Sequence, residues 1–100
     1  MTFIEQLRAE RRRYILDILD RSQPSKLNHR SVAVILEQYG LRPADEELRR
    51  DLQWLYQTGL VELEHLDNLV LTALTERGRD VSAGRLRIDG ISRDGICGDY

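Results

Sequence analysis

Three observations in this 100-residue sequence predict an α+β, mostly helical domain. Apolar residues recur at helical spacing over three successive stretches, about 3–20, 28–39 and 45–57. After Gly59 the apolar period shortens toward two, with Leu60–Glu64 and Leu69–Ala73 flanking the turn pair Asp67-Asn68. A short helix then opens at Thr75 and stops at Gly84. Three helices, a two-stranded wing and a short C-terminal helix, in that order, are the layout of a winged helix-turn-helix. We expect residues 1–84 to form this domain and residues 85–100 to be an extended or flexible C-terminal tail.

Each element has a local cause. Thr2 and Glu5 are spaced as a capping box, and Ile4, Leu7, Tyr14, Ile15, Ile18 and Leu19 mark one face of a first helix running to about Asp20. Arg11, Arg12 and Arg13 lie inside it. Consecutive helical residues point about 100° apart, so the triplet cannot form one patch and is expected mainly as a solvated face, with a phosphate contact as the alternative. The polar, proline-containing stretch that follows is expected as a loop. Asn28 is placed to cap a second helix, with Leu27 and Val32 as a hydrophobic staple across its start. Val32, Ile35, Leu36 and Tyr39 form the buried stripe, and Gly40 ends it.

A third helix starts near Pro43–Asp45, buries Leu48, Leu52 and Leu55, and closes at Gly59. Joined by a tight turn, the second and third helices make a helix-turn-helix unit. In the hairpin, Leu63 and the alternate residues Leu69, Leu71 and Ala73 are expected to face the core. The tail carries Gly90, Gly95 and Gly98 and no helical stripe, with Ile88 and Ile91 as docking points.

Composition narrows the function. Hydrophobic residues make up 41% and charged residues 32%, as in a solvated globular domain, and the net charge is −2. No global basic field draws this chain onto phosphate. No apolar run approaches the roughly 18 residues that span a membrane, and the N-terminus lacks a signal segment, so a cytoplasmic protein is expected. The single cysteine, Cys97, is expected to be an incidental thiol. There is no phosphate loop, nucleophile elbow or Cys/His metal spacing. His29 and His65 are expected at the surface or in a cap, and we expect neither an enzyme nor a cofactor.

Double-stranded DNA is the partner that the element order implies. In a winged helix the third helix enters the major groove. With its leucines inward, Arg50, Gln53 and Gln57 turn outward and Arg49 and Trp54 lie on the flanks. Arginine pairs with guanine and glutamine with adenine, so Arg50, Gln53 and Gln57 are the candidate base readers, with Arg49 beside them as a further candidate DNA-binding residue. Asn28, His29, Arg30 and Ser31 open the second helix, whose backbone N–H groups suit a phosphate. Against this stand Asp45, Glu46 and Glu47 at the start of the reading helix, and Glu62, Glu64 and Asp67 on the wing. The alternative is therefore a protein-interaction module anchored by Trp54 and the acidic wing. A homodimer is expected to use Phe3, Leu16 or Leu19, or the tail.

The run Gln57-Thr58-Gly59-Leu60-Val61-Glu62, followed by a hairpin and Leu74-Thr75-Glu76-Arg77-Gly78, resembles a signature of ArsR-, PadR- and MarR-like winged-helix regulators. The chain as a whole, including its ending GRLRIDGISR, is similar to small proteins of Mu-like transposable phages and prophages. The resemblance implies transcription regulation or another DNA transaction in the host cytoplasm. The metal-binding cysteine motif of metal-sensing ArsR regulators is missing, so metal sensing is not implied.

Overall fold

Thr2 begins the order of the chain: its hydroxyl accepts the Glu5 N–H at 3.1 Å and caps α1, Phe3–Arg21. The computed structural model describes residues 2–96, so the expectation for Cys97 lies outside the described residues. The elements that follow are β1 (Leu27–Asn28), α2 (His29–Gln38), α3 (Asp45–Gln57), β2 (Val61–Leu66), β3 (Leu69–Leu74) and α4 (Glu76–Ser82). The three strands form one antiparallel sheet in the order β1-β3-β2. The fold is α+β, four helices with a small sheet.

The caps follow the sequence closely. Asn28 Oδ1 accepts the Ser31 N–H at 2.9 Å, and Thr75 Oγ1 accepts the Gly78 N–H at 3.0 Å. At α3 the N-cap is Ala44, which has no acceptor; the Glu47 carboxylate reaches back to the Ala44 N–H at 3.2 Å, half of a capping box. Gly59 ends α3 with φ +81°, a left-handed conformation that turns the chain straight into β2.

The core is one cluster in which Ile15, Leu16 and Leu19 of α1, Val32 and Leu36 of α2, and Leu48, Leu52 and Leu55 of α3 close around Leu60, Val61 and Val81. Leu16 and Leu19, expected as dimer contacts, are fully buried in it and present nothing to a second copy. The stripe continues past the exposed face because α1 is covered on more than one side. Tyr39 stands half out of the core and packs edge-on against Tyr14, with ring centroids 5.6 Å apart.

The hairpin corrects a second expectation. Asp67-Asn68 forms the two-residue turn, with Asp67 at φ 51°, and Leu66 pairs with Leu69 across it. That register puts Leu63 opposite Thr72 and Val61 opposite Leu74. Residues directly opposite share a face, so Val70, Thr72 and Leu74 point the same way as Leu63, and Val70 and Thr72 are buried. Leu69, Leu71 and Ala73 are on the other face and only half-buried.

The arginine triplet is the third correction. None of the three is a solvated charge. Arg11 is buried in an ion pair with Asp51 of α3. Arg12 lies over the Trp54 ring at 4.1 Å from its centroid and donates to the Gly90 carbonyl at 3.2 Å. Arg13 donates to Asp17 at 3.1 Å, to the Ser82 carbonyl at 2.8 Å and to the Arg93 carbonyl at 2.9 Å. The three do point in different directions, although Arg11 and Arg12 share Asp51, with Arg12 Nε 3.5 Å from its other oxygen.

Residues 85–96 run along α1. Leu86, Ile88, Ile91 and Ile96 pack against the core, and the Ser92 N–H donates to the Ala9 carbonyl at 3.1 Å. Buried Asp17 accepts from the Ser82 hydroxyl at 2.6 Å and the Ile96 N–H at 2.8 Å, tying α4 and this segment to α1. Gly90, at φ +94°, passes so close to Trp54 that a Cβ would lie 2.9 Å from the ring.

Candidate nucleic-acid interface

α3 sorts its residues by helical geometry. Leu48, Asp51, Leu52 and Leu55 face inward, and Glu46, Arg50, Gln53 and Gln57 are exposed. Gln53 and Gln57 make no side-chain hydrogen bond among the described residues, so their amides are free to meet a base edge. Arg50 is held only loosely, 3.6 Å from Glu46 on the same helix face. An exposed pair of this kind is worth little and yields to a better acceptor.

Arg49 is engaged differently. Its Nε donates to Asp45 at 2.8 Å and its Nη2 to the Asn68 carbonyl, in the hairpin turn, at 3.3 Å. Arg49 therefore clamps the start of α3 to the tip of the β2–β3 hairpin. Its guanidinium holds the Asp45 carboxyl below the usual carboxylate range, mainly through that hydrogen bond.

His29 is placed least like its expectation. Its side chain is buried, 1% exposed, where surface or capping was expected, and it cannot reach a phosphate. Its Nδ1 accepts the Val70 N–H at 3.1 Å, which assigns the ring proton to Nε2, 3.3 Å from Asp45 Oδ1. The ring thus joins α2, β3 and α3 at one point. Burial lowers its pKa, and the Arg49 charge adds to this against the opposing pull of Asp45. A histidine in an amphipathic helix start gave no signal for this; the Val70 N–H it satisfies lies 41 residues away.

The rest of the α2 start remains accessible. Asn28 spends its side-chain oxygen on the cap, Ser31 is half-buried behind it, and Arg30 is exposed with no ion-pair partner among the described residues. The expected residues therefore divide: Arg30, Arg50, Gln53 and Gln57 offer free polar groups, while Asn28, His29 and Arg49 are occupied in holding the fold.

A cleft of about 320 Å³ lies between α1 and α3 beside this face. Trp54, Gln53 and Gln57 line it together with Arg8, Arg11, Arg12 and Arg50, against the acids Glu47 and Asp51. Sequence reasoning missed Arg8 here, and it named Arg12 without placing it beside α3. The fact that brings them to α3 is the pairing of Arg11 with Asp51, 40 residues apart, and no local pattern encodes it. The hairpin adds nothing basic: Glu62 and Glu64 are exposed, and Lys26 sits 3.5 Å from Glu64.

No family model matches the sequence. Over 58 residues, 58% of this chain, it is 36% identical to "Uncharacterized protein gp26" of Escherichia phage Mu. The chain spans 60% of the length of that relative. The fold is similar to a solved structure described as "The complex structure of hsRosR-S1", with a TM-score of 0.61 and 25% identity, over 83% of this chain and 67% of that one.

Proposed function

We propose that this chain is a winged helix-turn-helix protein of a phage or prophage that binds double-stranded DNA, by binding alone and without catalysis. It acts in transcription regulation or another phage DNA transaction in the host cytoplasm. The observation that carries this is the exposed face of α3, where Arg50, Gln53 and Gln57 stand free of the core at spacings that suit base edges. The similarity to a phage protein and to the hsRosR-S1 fold supports the reading. The test is titration of duplex DNA at low salt with the natural protein and with Arg50→Ala plus Gln53→Ala. Each lost base contact weakens binding by about 1–3 kcal/mol. Absence of duplex binding, or binding that the double substitution leaves unchanged, rules the proposal out.

One observation favours a second reading, a winged-helix module that binds a phage or host protein or a second copy of itself. Phe3, Ile4 and Leu7 are 73%, 59% and 37% exposed along the first turns of α1, an apolar patch that the described residues leave uncovered. Here Phe3→Ser plus Ile4→Ser would abolish a self-association or partner complex seen by sedimentation, without changing DNA affinity. Trp54, the expected anchor for such a partner, is half-buried beneath Arg12.

A further inference from the structure

We propose that the cleft between α1 and α3 is a phosphate site, in which Arg8 of α1 and Arg50 of α3 grip a tetrahedral oxyanion over Arg12 and Trp54. Where the phosphate belongs to nucleic acid, this rests on the DNA-binding reading above and extends it from α3 to α1.

Four arginines line the cleft against two acids, and the acids are already engaged. Asp51 serves Arg11, with Arg12 Nε 3.5 Å from its other oxygen, so one carboxylate faces two guanidinium groups. Glu47 accepts the Ala44 N–H. The cleft therefore keeps an excess of positive charge although the chain as a whole is acidic. Field lines concentrate in such a recess, which compensates locally for the missing global field.

Two further features point to an anion. Arg12 Nε is buried and makes no hydrogen bond among the described residues, its ion-pair partner Asp51 standing 3.5 Å away, so this donor is only weakly satisfied. The Arg12 guanidinium is fixed in place between the Trp54 ring and the Gly90 carbonyl, so it stands ready without further ordering. Arg8 is exposed at the mouth with no ion-pair partner among the described residues. Arg50 is released from Glu46 at small cost. Guanidinium groups match phosphate oxygens two at a time, which the point charge of a lysine does not.

Charge balance also separates this cleft from three other exposed arginines, whereas Arg30 stands alone rather than in a recess of the described residues. Arg42, Arg49 and Arg85 are each bound to an acid within 3.1 Å. The acidic hairpin offers no alternative seat.

Two arms test the site and separate its sources. In the first, duplex DNA binding is followed against salt for the natural protein, Arg8→Ala, and Arg87→Ala on the terminal segment as a control. Loss of one phosphate contact lowers the slope of log affinity against log salt by about 0.9 for Arg8→Ala and leaves the control unchanged. In the second, the fluorescence of Trp54, the single tryptophan, is titrated with inorganic phosphate against chloride at matched ionic strength. Saturation in the natural protein that is lost in Arg8→Ala supports the site, and an unchanged DNA slope then assigns it to free phosphate. Failure of any duplex binding removes the functional proposal but leaves the second arm to decide the cleft. An unaltered slope together with no saturable phosphate response overturns it. Arg8 is exposed on a helix surface and alanine favours helix, so neither arm is confounded by unfolding.

Discussion

Arg11 of α1 and Asp51 of α3 form a buried ion pair that fixes how these two helices meet, with Arg11 9% and Asp51 2% exposed. Removing one partner leaves an uncompensated buried charge, so Asp51→Ala destabilises the fold by about 3–5 kcal/mol. Replacing both at once, Arg11→Met with Asp51→Leu, recovers part of that loss: the desolvation cost of the pair disappears, while Arg12, 3.5 Å from the same carboxylate, loses its acid. Chemical denaturation of the two single variants and the double one measures the coupling. Equal and additive losses would show that the pair contributes nothing as a pair.

The same pair shows why the fold was more legible than the site. Helical and strand periodicity, the Thr2, Asn28 and Thr75 caps and the Asp67-Asn68 turn are local signals, and each produced its element. The face of β3 was also available: once Asp67-Asn68 is the turn, Leu63 must pair with Thr72, and choosing Leu69 and Leu71 as core residues contradicted that register. β1 was not available, since two residues have no readable period. For the candidate site, the exposure of Arg50, Gln53 and Gln57 follows from the period of one helix. The roles of Arg8, Arg11, Arg12 and His29 depend on neighbours brought by tertiary packing, and isolated charged residues carry no mark of them.

Thr72 offers a gain in stability. Its side chain is fully buried and its hydroxyl makes no hydrogen bond among the described residues. Thr72→Val keeps the shape, removes a polar group buried without a partner and suits a strand, so we expect stabilisation of about 1–2 kcal/mol. A lower denaturation midpoint would mean that the hydroxyl is satisfied after all.

Gly78 is required by close packing rather than by conformation. A Cβ there would lie 2.1 Å from the Leu60 carbonyl oxygen and 2.7 Å from Leu74 Cδ1. On an open helix surface, alanine in place of glycine is favourable by roughly 1 kcal/mol. Here backbone must move, and overpacking of about 1–3 kcal/mol reverses the sign. The thermal midpoint of Gly78→Ala should therefore fall; a rise would show that α4 is free to shift off Leu60.

His29 makes stability depend on pH. The unfolded chain takes up a proton near 6.5, while the buried ring resists it, because its pKa is lowered by burial and by Arg49. The unfolded state then binds more protons than the folded one, and stability falls as pH drops below about 6.5. The stabilisation is complete above that value. Denaturant midpoints at pH 8, 7, 6 and 5.5 would record the decline, and an NMR titration would place His29 below its ordinary value. A midpoint that holds or increases over this range would contradict the burial and tautomer assigned to the ring.

Arg49 and Gln53 sit on the same helix but should fail in different ways. Arg49 spans Asp45 and the Asn68 carbonyl beside His29, so Arg49→Ala frees the hairpin turn from α3. Its effect is expected in faster amide exchange around Asn68 and a lower thermal midpoint, with DNA affinity reduced alike for every sequence. Gln53 is exposed and unbonded, so Gln53→Ala should leave stability within about 0.5 kcal/mol. Its loss should instead relax discrimination at one base position by about 1–3 kcal/mol. Binding of a panel of duplexes that differ at single positions separates the two patterns. A uniform loss for Gln53→Ala, or a position-specific one for Arg49→Ala, would reverse the roles assigned to them.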